Sequence, residues 1–167
     1  MTTTTTPDDD TEMMEVLYNG CHGGWSISNK AMGLYNTRRT ETDPPLQDIL
    51  FPETACRHNP LLVQIFHELG REINSGTGSR IQSELIHKKY KNYYCINEYD
   101  GAETVVINYI RYEKDENEKK IKNILTATHM TNDQKIAELT SIFLTNVNSS
   151  DSSLNMFVGD CEYTYGR

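Results

Sequence analysis

The stretch Asn19-Gly-Cys-His-Gly-Gly-Trp-Ser-Ile-Ser28 decides how the rest of the chain is organised. It places three glycines, a cysteine, a histidine and the only tryptophan between a predicted strand over residues 12–19 and a predicted helix that begins at Asn29. Glycines allow the backbone to take positive φ angles or to approach another group closely. Where such a turn ends at a helix N-terminus, its N–H groups and the helix dipole can hold an anion. The stretch therefore predicts a strand–turn–helix unit with a candidate binding site at the turn.

Length and composition restrict the classes of protein that this chain can belong to. At 167 residues it is long enough for one domain, and no apolar run approaches the roughly 20 residues that span a bilayer. The net charge of −8 argues against a nucleic-acid partner, because such binding depends on cationic contacts with phosphate. The start of the chain is polar and acidic, without the features of a signal peptide. We therefore expect an intracellular protein whose widely spaced cysteines are free thiols, namely Cys21, Cys56, Cys95 and Cys161.

Local signals along the chain predict the other elements. Ser28 is a suitable N-cap for the helix after the glycine turn, and Asn59-Pro60 opens the most strongly patterned helix. Asp100-Gly101, between two runs of aromatic and β-branched residues, predicts a hairpin with a tight primed turn. Thr131-Asn-Asp-Gln134 has the form of a capping box. It opens a helix with an apolar stripe of Ile136, Leu139, Phe143 and Val147.

Together these elements predict an α+β fold. We expect a small antiparallel sheet, made of the β-hairpin and the N-terminal strand, packed against two or three helices. The predicted organisation is a disordered polar tail over residues 1–11, a single α+β domain over 12–112 and a helical C-terminal extension over 113–167.

Three separated pieces of the chain carry a resemblance to a known family. They are Asn19–Ser28, Arg57-His-Asn-Pro-Leu-Leu-Val63 with Glu68-Leu-Gly70, and Glu98-Tyr-Asp-Gly-Ala-Glu103. In order and spacing they resemble the motifs of a small family found in bacteriophages, prophages and large DNA viruses, which has no assigned activity. Here His22 replaces the usual aromatic residue and Asn59 replaces an acidic helix cap. The resemblance implies a viral protein of the host cytoplasm or the virion.

The glycine-rich turn has two interpretations. In the first, Gly23 and Gly24 allow a tight turn, and Trp25 closes the core. In the second, the turn, Arg57 and the acidic hairpin tip converge around a small anionic ligand. The candidate ligand-binding residues are then Gly20, Cys21, His22, Gly23, Gly24, Trp25, Ser26, Arg57, Asp100 and Glu103. The turn is neither a P-loop nor a dinucleotide-binding fingerprint.

No complete catalytic or metal-binding pattern accompanies these residues. Cys21 and His22 are adjacent, so their side chains point to opposite faces of an extended chain, whereas Cys21 and His58 are free to form a thiolate–imidazole pair. Cys21, His22, Cys56 and His58 are zinc-ligand types without the usual spacing of paired ligands. Phe66-His-Glu-Leu-Gly-Arg71 has Arg71 where a zinc protease needs a second histidine.

These observations lead to two functional hypotheses. The first is a non-enzymatic viral accessory or virion-associated protein that binds a host or viral protein partner. The alternative is a protein, or a hydrolase, that binds or sequesters a small anionic, nucleotide-like ligand at the glycine turn. The sequence assigns no catalytic residue, metal ligand or cofactor, and it predicts no membrane partner.

Overall fold

The computed structural model describes residues 12–43, 45–46 and 57–149, with side chains as far as residue 145. The predicted tail over residues 1–11, Cys56, Cys161 and the part of the predicted extension beyond residue 149 lie outside the described residues. The described strands are β1 (Met13–Asn19), β2 (Ile81–His87), β3 (Tyr94–Tyr99) and β4 (Ala102–Ile107). The described α-helices are α1 (Asn29–Arg38), α2 (Pro60–Leu69), α3 (Tyr109–Thr126) and α4 (Asn132–Ser149). The predicted α+β class is confirmed.

The four strands form two antiparallel pairs. Strand β1 pairs with β2 from Met13↔His87 to Asn19↔Ile81, and β3 pairs with β4 in the hairpin. We expected the N-terminal strand to join the hairpin in one sheet. It pairs with β2 instead. Other groups bind the backbone of β1: the Leu17 N–H donates to the Arg57 carbonyl at 2.8 Å, and the Asn19 N–H donates to the Glu103 carboxylate at 2.7 Å.

Strand β1 is buried on both faces, because successive side chains of a strand point in opposite directions. Leu17 packs with the helices, in a cluster that includes Ala31, Tyr35, Leu62 and Ile65. Val16 packs on the other side, in a cluster with Ile86, Tyr94 and Ile96. The sheet of β1 and β2 is therefore a central layer between α1 and α2 on one side and the hairpin on the other.

Side-chain caps begin both helices of this unit, as predicted. The Ser28 hydroxyl accepts a hydrogen bond from the Ala31 N–H, and the Asn59 side chain accepts from Leu61 and Leu62. Pro60 occupies the start of α2, where its missing N–H costs no hydrogen bond. A 3₁₀ turn over Gly70–Ile73 extends α2, and Ile73 is fully buried.

The hairpin has the predicted primed turn. Asp100 and Gly101 have φ angles of +50° and +82°, and two consecutive positive values define the turn type that matches strand twist. The strand after the turn ends at Ile107. Asn108 ends it, since its side chain accepts a hydrogen bond from the Arg111 N–H and caps α3.

Of the described residues, 108–149 belong to a second compact unit. In its described part α3 and α4 are joined by residues 127–131, and α4 begins at the predicted capping box. The Gln134 N–H donates to the Thr131 hydroxyl at 3.3 Å, and the Thr131 N–H donates to the Gln134 side chain at 2.9 Å. No residue of α3 is buried. Among the described helices, none combines the length and apolar character needed to cross a membrane.

Candidate functional site

Three loops of the first unit meet at the glycine-rich turn. A Cβ on Gly23 would lie 1.5 Å from the Gly78 carbonyl oxygen, and one on Gly101 would lie 2.3 Å from the His22 carbonyl oxygen. Glycine is thus required wherever the turn crosses the 74–79 loop or the hairpin tip, since a side chain would collide with backbone. Gly24 instead has a φ of +81° and open space around it. The predicted approach of the turn to the hairpin tip is therefore present.

Asn19 connects these loops through its side chain, which is fully buried. Its amide nitrogen donates to the carbonyls of Cys21 at 2.6 Å and Gly101 at 2.8 Å. Its amide oxygen accepts from the Arg80 N–H at 2.7 Å. One side chain at the end of β1 thus ties the glycine turn, the hairpin tip and the start of β2 together.

Arg57 and Glu103 form a buried ion pair beside Asn19. Two guanidinium nitrogens of Arg57 donate to the two carboxylate oxygens of Glu103 at 2.7 and 2.8 Å. Their side chains are only 7% and 6% exposed. The guanidinium carbon lies 3.6 Å from the centroid of the Trp25 ring, which is a cation–π stack. The pair therefore has both the bidentate geometry and the desolvated setting in which such contacts are strongest.

This pairing determines what the cluster offers to a ligand. Glu103 balances the charge of Arg57, and its carboxylate also accepts a hydrogen bond from the Asn19 N–H. The two buried charges are therefore already paired with each other inside the fold. The Arg57 Nε and Trp25 Nε1 atoms are buried without a hydrogen-bond partner among the described residues. An anion at the turn would have to compete with Glu103 for the guanidinium.

Cys21, His22 and His58, the candidates for a nucleophile and its base, each contact a different group. The Cys21 thiol lies 3.4 Å from the Asn19 amide oxygen and 3.6 Å from the Gly78 carbonyl. The exposed His22 and Asp100 side chains approach to 3.7 Å. His58 Nδ1 forms a 2.6 Å hydrogen bond with the Tyr94 hydroxyl. The structure thus places His58 with Tyr94 and not in the thiolate–imidazole pair that the sequence left open.

His58 has a perturbed acidity in this setting. Partial burial, followed by the positive charge of Lys91, lowers the pKa of His58 below its ordinary value. The neutral imidazole is therefore favoured, and it packs edge-on against the Tyr94 ring with centroids 5.6 Å apart.

Metal ligands are not grouped in the part of the chain that the structure describes. No three side chains of the His, Cys, Asp and Glu types come together there in a way that could hold a metal ion. Cys21 is a free thiol, as predicted, whereas Cys56 and Cys161 lie outside the described residues.

The ten predicted site residues therefore lie around one junction, although their ligand-binding role stays a prediction. Ser26 is at its margin and contacts the Ser75 hydroxyl of the 74–79 loop. Sequence reasoning missed the central role of Asn19, which was visible only as the first residue of the motif. It also missed the 74–79 loop and Tyr94, because nothing local indicates that residues so far apart in sequence meet.

The second unit has a different kind of surface. A groove of about 490 Å³ lies between α3 and α4, and its α4 wall consists of Glu138, Ser141, Ile142 and Thr145. Three other large apolar side chains of α4 do not line this groove: Ile136, Phe143 and Leu144 are 60–63% exposed. Such a concentration of exposed apolar residues on one helix is typical of an interaction surface.

Comparisons with known proteins add no relative to this description. No protein-family model matches the chain, and neither does any curated protein or solved structure. The viral resemblance therefore depends on the three quoted motifs.

Proposed function

We propose that the chain is a non-enzymatic protein-binding protein that acts through its C-terminal helical pair. The observation that carries the proposal is the apolar stripe of α4, where Ile136 and Phe143 are 62% and 63% exposed. Exposed apolar side chains at helical spacing are the usual anchors by which an amphipathic helix binds a protein partner.

The arrangement of the motif residues in the first unit supports the same proposal. Arg57, Glu103 and Asn19 satisfy one another, and they hold the glycine turn against the hairpin. A structural role, that of connecting the loops of the first unit, is therefore sufficient to explain these charged motif residues. A small-ligand function at the turn would need Arg57 to be available, so the geometry favours the protein-binding function.

The biological setting in the proposal comes from the motif resemblance. On that basis the chain is a viral accessory or virion-associated protein, acting in the host cytoplasm or the virion. Its partner is a host or viral protein.

Affinity capture with matched variants tests the protein-binding function. The full chain, Phe143→Asp and Tyr99→Asp are expressed with the same tag, and every co-purifying protein is identified and re-tested in purified form. Tyr99 is a large apolar side chain that is 82% exposed on the hairpin, so it controls for loss of any exposed apolar group. We expect a protein partner to bind the wild type and Tyr99→Asp but not Phe143→Asp.

Native mass spectrometry tests the small-ligand alternative on the same samples. We expect masses equal to the 19.2 kDa chain, to its multiples or to complexes with protein. The proposed function would be contradicted by two results together: a mass excess much smaller than a protein that disappears on denaturation, and partner binding that Phe143→Asp does not change. These results would favour a retained small ligand.

A further inference from the structure

The hydrogen bonds at the two ends of the β1–β2 ladder show which backbone groups of β2 point away from β1. The Lys88 N–H donates to the Glu12 carbonyl at 2.8 Å. The Gly20 N–H donates to the Arg80 carbonyl at 2.9 Å. Hydrogen-bonded pairs alternate along an antiparallel ladder, and the register is continuous between these ends. The even-numbered residues of β2 therefore bond to β1, whereas the odd-numbered residues direct their N–H and C=O groups outward.

The two edges of this sheet differ in how they are covered. The outward N–H groups of β1 take part in the hydrogen bonds described above. At the start of β2, the Ile81 N–H donates to the Asn74 side chain at 2.7 Å. The next outward residues are Ser83 and Leu85, whose backbone groups bond to no other group in the part of the chain that the structure describes. The edge of β2 is therefore open from Ser83 onward.

The open edge is accessible on both faces of the strand. Glu84 and Leu85 are exposed and lie on opposite faces of β2, and Leu85 is 64% exposed. Proteins usually protect an edge strand with a proline, a lysine or a bulge, and Ile81–His87 has none of these. Unpaired backbone groups in a row fit an extended strand, which adds to the sheet through main-chain hydrogen bonds.

We propose that β2 of a second copy of the chain covers this edge, in an antiparallel contact about a two-fold axis at Leu85. The β1–β2 sheets of the two copies then form one four-stranded sheet. A two-fold contact joins the same surface of both copies, so that surface has to be complementary to itself. The contact does not involve α4, so the inference goes beyond the proposed function.

The residues of the open edge are complementary to themselves at this register. Hydrogen-bonded pairs of an antiparallel ladder join outward-facing residues, so Leu85 of each copy donates to and accepts from Leu85 of the other. The two exposed leucine side chains then lie side by side on one face, where apolar cross-strand pairs are stabilising. On the other face, Glu84 lies opposite Ile86 of the second copy, so no like charges are directly opposite.

Other positions of the axis fit less well. An axis at Glu84 would place two carboxylates directly opposite each other, which is destabilising. An axis at Ser83 would place Leu85 opposite Ile81, whose N–H is already bonded. An axis at Ile86 would place Ser83 opposite residue 89, which lies beyond the end of β2. The axis at Leu85 is therefore the one that the edge favours.

Sedimentation velocity of the full chain over a wide concentration range tests the dimer. We expect a reversible species of twice the 19.2 kDa chain mass. Leu85→Lys should raise the dissociation constant by about tenfold or more, because it replaces the central apolar pair with two like charges. Tyr99→Lys adds the same charge at a hairpin position that is 82% exposed, and it should leave the dissociation constant unchanged.

A proline variant tests the backbone pairing rather than the side chain. The Leu85 N–H points away from β1, so Leu85→Pro removes no hydrogen bond from the β1–β2 ladder. It does remove the donor at the centre of the two-fold contact, so we expect the dimer to be lost while the circular dichroism spectrum stays unchanged. A Leu85→Pro chain that keeps this spectrum and dimerises as the wild type does would contradict the pairing.

Disulfide trapping tests the register without relying on a loss of binding. Residues of a hydrogen-bonded pair have Cα atoms about 5.5 Å apart, which is within the range of a disulfide. We expect Leu85→Cys chains, oxidised and mapped by peptide mass spectrometry, to be linked between the two copies of position 85. Ser83→Cys is the control, since this register places the two copies of position 83 about 13 Å apart along the strands. Links joining 83 to 83 in place of 85 to 85 would contradict the register.

The outcomes separate this inference from the proposed function. Phe143→Asp should leave the dimer unchanged, because α4 takes no part in the β2 contact. Loss of the dimer in Phe143→Asp would overturn the β2 contact. A full chain that stays monomeric at the highest concentration, and forms no link at position 85, would overturn it as well and would leave the proposed function of α4 unaffected.

Discussion

Arg57 and Glu103 have an energetic role that depends on their pairing more than on either charge. Removing two charges from water is expensive, and only close, bidentate contacts compensate for that cost. Here both carboxylate oxygens accept from the guanidinium, one of them also accepts the Asn19 N–H, and Trp25 covers the guanidinium face. Loss of one partner leaves the other charge buried and unbalanced.

Glu103→Gln should therefore destabilise the first unit strongly. The glutamine oxygen can still accept from Asn19, but the Arg57 charge becomes uncompensated, so we expect a loss of about 3–5 kcal/mol in the free energy of unfolding. Adding Arg57→Met removes that charge and should recover part of the loss. Urea unfolding of the wild type, both single variants and the double variant measures the coupling.

An exposed ion pair provides the matched control. Arg38 and Glu68 lie 2.6 Å apart with side chains 39% and 37% exposed, so Glu68→Gln should cost at most about 1 kcal/mol. If Glu103→Gln were no more destabilising than Glu68→Gln, the buried pair would not be an important structural contact of the first unit.

His58 should make stability depend on pH in a defined direction. Burial and Lys91 lower the pKa of His58 in the folded chain, so the unfolded chain binds the proton at higher pH than the folded chain does. The stabilisation is present above about pH 6.5 and is lost as pH falls through that value toward the folded pKa. The folded carboxylates with lowered pKa values, such as that of Glu72, lose their contribution only at more acidic pH.

Urea unfolding between about pH 7.5 and 5.5 measures this effect. The wild type should lose stability over that range, and His58→Asn, which keeps a polar group near Tyr94, should lose less. His129→Asn, at an exposed position between α3 and α4, should behave as the wild type. Equal slopes for the wild type and His58→Asn would contradict the assignment.

At the scale of elements, the glycines differ in whether their surroundings leave room for a side chain. Gly23→Ala would put a Cβ 1.5 Å from the Gly78 carbonyl oxygen, which only a backbone shift could relieve. We expect a loss of about 3 kcal/mol or more. Gly33→Ala lies in α1 with no atom within 4 Å of the new Cβ, so it should gain about 0.5–1 kcal/mol. Thermal unfolding of both variants tests the contrast, and a Gly23→Ala protein as stable as the wild type would contradict the close crossing.

Elements with local signals were predictable from the sequence, and contacts between distant elements were not. The Asn59 cap, the Asp100-Gly101 turn and the Thr131 capping box depend on neighbouring residues, so their chemistry is visible in the sequence. The pairing of β1 with β2 depends on residues more than sixty positions apart, for which the sequence has no local signal. The bidentate contact of Arg57 with Glu103 was likewise visible only as two polar motif residues.

At the scale of the whole chain, the two units differ in how much they bury. The first has two buried apolar clusters around β1, whereas the described part of the second has an exposed α4 stripe and no buried residue in α3. The stripe itself was predictable from its spacing. Its outward direction was not, because helical periodicity identifies a face without identifying the element that covers it.

Hydrogen exchange of the full chain should show this difference directly. Local opening is cheapest where few apolar contacts are buried, so amides of α3 and α4 should exchange much faster than those of β1 at low protein concentration. A protein partner that covers the α4 stripe should increase the protection of α4 while that of β1 stays constant, because the complex removes Ile136 and Phe143 from water. Phe143→Asp should abolish this increase. Protection of α4 that is as strong as that of β1 without any partner would mean that the helical pair is stable alone.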